Sequence, residues 1–142
     1  MTADRLQALE RALASEQPLP ADVRDWLREG VIRHLRGEPL ERALEVHAPG
    51  NGADPAWRTI ARRRRDAWLR LAAGEVDGST KWARAVALES QVLRYLEATA
   101  KRWRDLDEPP GDAPAVKRYI HKAARTGEKL PESRWGLMRI LQ

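Results

Sequence analysis

AWRTIARRRRDAWLRLAAGEVDGSTKWARAVALESQVLRYLEATAKRW, residues 56–103, is the stretch whose reading decides the fold. Apolar residues recur here at helical spacing, and EVDG interrupts them once. Taken at about 100° per residue, Trp57, Ile60, Ala61, Ala67, Trp68, Leu71 and Ala72 gather on one side of a first helix. Trp82, Ala85, Val86, Val92, Leu93, Leu96, Ala100 and Trp103 gather on one side of a second. The expected helices run over about 55–73 and 79–106, with Asp54–Pro55 and Ser79 as starting signals and Gly74 as a stop. So short a connection makes them antiparallel neighbours. One charged residue falls inside each apolar face, Arg64 on the first and Glu89 on the second. Both lie equally far from the turn, so the pattern predicts a long hairpin with an Arg64–Glu89 ion pair in its seam. Such a pair would fix register more than it would add stability, since burial costs about as much as the attraction returns.

Working outward, Thr2 is a candidate cap for a helix to about Ser15, with Leu6, Leu9 and Leu13 aligned. Gln17 to Pro20 breaks it. A helix over about 21–36 follows, with Val23, Trp26, Leu27, Gly30, Val31 and His34 on one side and Gly37 behind it. Pro39 opens a short helix to Val46 that buries Leu40, Ala43 and Leu44. HAPGNGADP, residues 47–55, reads as a loop. Beyond DEPPGD, residues 107–112, a helix is expected from Asp112–Pro114 to about Thr126, closed by Gly127. A last one spans Pro131–Leu141, with Trp135, Met138 and Leu141 aligned. No run of alternating polarity is long enough for a strand. The fold class is therefore all-α, a single helical domain of about six helices with acidic N-terminal helices (1–46), a basic central hairpin (55–106) and basic C-terminal helices (112–142).

Composition narrows the function classes. The 142 residues contain no Cys and no Phe but six Trp, so disulfides and thiolate metal sites are excluded and bulk must come from Leu and Trp. The first residues lack an apolar leader, and no apolar run of about 20 residues offers a membrane span. Together these point to a cytoplasmic protein. Net charge is +5 but uneven: 7 Arg against 10 acids over residues 1–54, and 19 basic residues against 11 acids over 55–142.

Catalysis finds little support. His34 sits on an apolar face, His47 in the loop mouth and His121 on a basic surface, and none is at helical ligand spacing to another. HExxH, GxSxG and the phosphate-cradling GxxxxGK[ST] are missing, and the glycines of PGNG lack a preceding strand. The chain is expected to be no enzyme and to need no metal or cofactor.

The basic residues give a sharper expectation. With Arg64 turned inward, Arg58, Arg62, Arg63 and Arg65 flank the hairpin, and Lys117, Arg118, Lys122 and Arg125 form a second set. The planar guanidinium forks phosphate oxygens, so the pattern suits DNA, RNA or a nucleoprotein complex. A helix-turn-helix over 39–46 and 55–70 would need a connection of about eight residues, longer than the usual turn. The rival expectation is a protein-interaction module, an adaptor, assembly subunit or inhibitor. Trp26, Trp103 and Trp135, nearest the helix ends, would be its anchors, and an apolar helix face would invite a homo-oligomer.

Overall fold

A computed structural model describes residues 1–47 and 52–142 and is all-helical there. The reading of PGNG as a flexible loop falls mainly on residues outside that description. The helices are α1 (Thr2–Ala14), α2 (Ala21–Leu35), α3 (Leu40–Ala43), α4 (Ala56–Ala73), α5 (Lys81–Arg94), α6 (Ala100–Arg102), α7 (Ala115–Ala124) and α8 (Arg134–Leu141). A π-helical turn, Tyr95–Thr99, joins α5 to α6 without a break. The chain forms two compact units, Met1–Ile60 and Ala61–Gln142, and the division falls inside α4.

Local chemistry explains most helix boundaries. Thr80, rather than Ser79, caps α5 by accepting from the Ala83 amide, and Ser133 caps α8 through the Gly136 amide. Thr2 caps nothing and lies inside α1. Gly37 and Gly127 follow α2 and α7 with positive φ, the conformation glycine adopts without steric cost.

In the N-terminal unit, α2 packs on α1 and α3. Val23, Trp26 and Gly30 are its buried stripe. A Cβ at Gly30 would collide with the Leu44 side chain, so glycine permits the close approach of α2 to the residues after α3. The Trp26 indole N–H donates to the Leu44 carbonyl at 3.2 Å, and Arg33 forks Glu38 at 2.7 Å through two nitrogens. The expected faces are only half right. Val31, Leu13 and Leu40 are exposed, and so is His34.

The C-terminal unit holds the larger core. Leu69, Ala72 and Ala73 of α4 share it with Ala85, Leu88 and Val92 of α5, Ile120 and Ala123 of α7, and Leu137 and Ile140 of α8. The buried positions 85, 88, 92, 95, 99 and 103 fall within roughly 80° around the α5–α6 axis at 100° per residue. That stripe is turned by roughly 80° from the expected one, and Leu88, Tyr95 and Thr99 were not foreseen in it. α5 packs chiefly along α8.

This rotation overturns the proposed seam. Glu89 does not meet Arg64. Its carboxylate is held by Arg134, whose Nη2 lies 2.8 Å from Oε1 and whose backbone N–H donates to Oε2. Arg64 is exposed. On α4 the core anchor is Leu69, and Arg64 lies roughly 140° from it around the axis. Arg62 and Arg65 are the arginines on Leu69's side. Leu71 is half-exposed, and Trp82 packs on Trp135 with ring centroids 4.8 Å apart.

Candidate functional site

Three arginines of α4 are structural bolts. Arg62 Nε donates to Glu128 at 3.2 Å, and that carboxylate is almost enclosed. Arg65 donates to Asp66 and, at 2.9 Å, to the Lys129 carbonyl. Its side chain is only 15% exposed. Arg70 donates to the Ile140 carbonyl at 2.9 Å, near the end of α8. Long stems cross apolar ground and deliver a donor to each orphan oxygen. Arg62 and Arg65, expected to face phosphate, are therefore tied into the fold. Arg63 is half-buried. Arg58 lies in the N-terminal unit beside Asp54, at 3.6 Å, so the four arginines expected to act together fall in two different units.

The second basic set fares differently. Lys117 is half-buried, and Arg118 Nε is buried with no hydrogen-bond partner. Lys122 and Arg125 instead reach a groove of about 260 Å³ lined by Arg64, Trp68, Asp107, Glu108 and Thr126 as well. Tyr119 stacks on Trp68 at 5.9 Å and 22°, and Lys122 Nζ sits 4.7 Å above the Trp68 ring. Lys122 pairs with Glu108 at 3.5 Å, and Arg125 pairs with Asp107. Those carboxylates are 81% and 88% exposed, against 9% for Glu128. Pairs with such exposed carboxylates hold by about 0–1 kcal/mol and yield readily to a competing anion. The groove thus gathers Arg64 of α4, Lys122 of α7 and Arg125, just past α7, around one indole. Sequence reasoning named two of them and misassigned Arg64 to the interior.

The tryptophans also divide unexpectedly. Trp26 and Trp103, expected at an interface, are core residues, each 8% exposed. Trp135 is 67% exposed, as expected, and Trp57 and Trp82 are exposed as well. Arg134, gripped by Glu89, lies 6.0 Å from the Trp82 ring on α5.

His121 is the histidine that sequence reasoning put on the surface, and it is fully buried. Its Nε2 lies 2.6 Å from the Leu106 carbonyl, which can only accept, so the neutral ring carries its proton there. Nδ1 then accepts from the Tyr95 hydroxyl at 2.8 Å, and Trp103 meets the ring edge-on at 5.3 Å. Burial raises the Tyr95 phenol above its ordinary value, although the charge of Arg125 acts against this. Both ring nitrogens are satisfied, so the triad reads as a polar core tie. His34 and His47 each contact a backbone carbonyl, that of Glu38 and of Glu41.

Among the described residues no group of three His, Asp or Glu is placed to hold a metal ion, and no helix is long and apolar enough to cross a membrane. Comparison with known proteins found no matching family model, no matching curated protein and no matching solved structure.

Proposed function

We propose that this is a non-enzymatic nucleic-acid-binding protein whose C-terminal unit contacts phosphate. The observation that carries the reading is the convergence of Arg64, Lys122 and Arg125 on one groove beside Trp68. Charge follows the structural division. Residues 61–142 hold 18 basic against 11 acidic residues, a net of +7, and residues 1–60 hold 8 against 10, a net of −2. A polyanion is drawn to the first of these and repelled by the second. The contact set differs from the one expected. Arg62 and Arg65 reach Glu128 and the Lys129 carbonyl, whereas Arg64 lines the groove.

The test is retention of a fluorescent oligonucleotide over a salt series. Affinity should fall steeply with salt, and Lys122→Gln with Arg125→Gln should lower the slope by about 0.7–0.9 for each phosphate contact removed. Salt-independent binding, or no binding in dilute buffer, would end the reading.

A protein-interaction module is the second reading, favoured by one observation in the N-terminal unit. Leu6, Leu44, Val46, Pro55 and Trp57 line a largely apolar cleft of about 620 Å³, with Glu41 and His47 at its side. Association through it would survive salt and fail on Trp57→Ala.

A further inference from the structure

We infer that the Trp82–Trp135 pair is a stacking platform for an unpaired base, which makes the preferred partner a single strand rather than a duplex. This rests on the nucleic-acid reading above and names the partner more narrowly. It uses a different place on the C-terminal unit from the groove at Trp68.

The platform begins with two cap positions. Ser133 starts α8, so Trp135 projects from its first turn, and Thr80 starts α5, so Trp82 projects from its first turn. Trp135 keeps 67% of its surface open even though it packs on Trp82. Leaving so much indole in water is unfavourable. The pair is braced from behind, because Arg134 is pinned between Glu89 and the Trp82 ring.

Geometry decides how a base would sit. The centroids are 4.8 Å apart and the planes tilted by 56°. A sandwiched base needs about 7 Å, twice the ~3.4 Å rise per nucleotide in a stack. The open face of Trp135 therefore takes one base from outside, and Trp82 serves as backing. Every base has a π-face, so such contacts tolerate any sequence but require the base to be unstacked from its neighbours. Arg139 lies four residues on from Trp135 along the same side of α8 and is exposed, as is Lys81 beside Trp82. Arg134 is committed to Glu89, so Arg139 and Lys81 are the groups placed to meet the flanking phosphates. An exposed indole on a unit of net +7, with the exposed Arg139 one turn along the same helix, is complementary to a nucleotide.

The experiment compares the full chain, Trp135→Ala and Trp135→Phe. Each is titrated with a labelled oligothymidine and with a duplex of equal length at one salt concentration. Circular dichroism checks that the variants fold, as an exposed side chain allows. The wild type should favour the single strand. Trp135→Ala should lose about tenfold on the single strand and little on the duplex, and Trp135→Phe should recover most of that loss. Equal affinity for both forms, or an unchanged Trp135→Ala, overturns the platform but leaves the nucleic-acid reading standing. Binding to neither form overturns both. A salt-resistant self-association that Trp135→Ala abolishes also overturns the platform, since it makes Trp135 a protein contact.

Discussion

The two units bury very different things. The buried apolar side chains described in residues 1–60 are those of Ala3, Ala12, Val23, Trp26, Ala43 and Ala56. The interior of residues 61–142 includes Leu69, Leu88, Val92, Tyr95, Trp103, Ile120, Leu130, Leu137 and Ile140. Leucine is not scarce in the first unit. It is nowhere fully buried there: Leu13 and Leu35 are 67% and 79% exposed, and Leu6, Leu9, Leu27 and Leu44 are half-buried. A chain of about 60 residues is marginal even with a good core, and this one is built mostly on alanine and a single tryptophan. The larger apolar core therefore lies in the second unit, and the first should be the easier of the two to open.

That contrast can be broken or sharpened by measurement. The largest effect should come from Leu88→Ala, which empties a fully buried site and should cost about 2–5 kcal/mol in denaturant unfolding. Leu35→Ala, the same change at an exposed site in the first unit, should stay within about 0.5 kcal/mol. Equal costs would erase the distinction. His121→Phe should come next. It strands the Tyr95 hydroxyl and the Leu106 carbonyl, at about 1–3 kcal/mol for each group left unpaired.

Glu89 gives a smaller, pH-dependent effect. The Arg134 side chain, and then its backbone N–H, hold the Glu89 carboxyl below its ordinary value of 4.5. Because the folded value is the lower one, the stabilisation is complete above about 4.5 and disappears as pH falls through the lowered value. Glu89→Gln should flatten the acid limb of the melting curve for the second unit, and Arg134→Gln should flatten it in part. If Arg134→Gln left that limb unchanged, the Glu89–Arg134 assignment would fail. Glu38 is lowered in the same direction by Arg33, but that pair closes over five residues, whereas Glu89 joins α5 to α8. Glu38→Gln should therefore shift melting less than Glu89→Gln. The subtlest sign is in amide exchange. Protection in α1 and α2 should fall below that in α5 and α7, and uniform protection would contradict the ranking.

Much of the secondary structure was legible. Pro20, Gly37, Pro55, Pro114 and Gly127 bound the helices because proline fixes φ and glycine takes positive φ without steric cost, local effects that need no tertiary partner. Helix facing was less legible. In ARRRRDAWLRLAA, Trp68, Leu71 and the alanines outvote Leu69 on any hydrophobic count, yet Leu69 is the residue at the centre of the buried side. The candidate site suffered accordingly. Lys122 and Arg125 were found, Arg64 was placed inside, and Arg62 and Arg65 were placed outside. One signal was available: a stripe at 62, 65, 69 and 72–73 is as good a helical face as the one chosen, provided arginine stems are allowed to cover apolar ground.

The sequence by itself determined that the chain is helical, where its helices begin and end, and that positive charge concentrates toward its C-terminal side. Those properties follow from backbone preference and composition, which each residue carries wherever it goes. Tertiary structure alone decided which of the four consecutive arginines are tied into the fold, which histidine is sealed in the core and which tryptophans stay in water. A long amphipathic side chain takes its place from the oxygen atoms and rings that other helices bring within its reach, and these are remote in sequence.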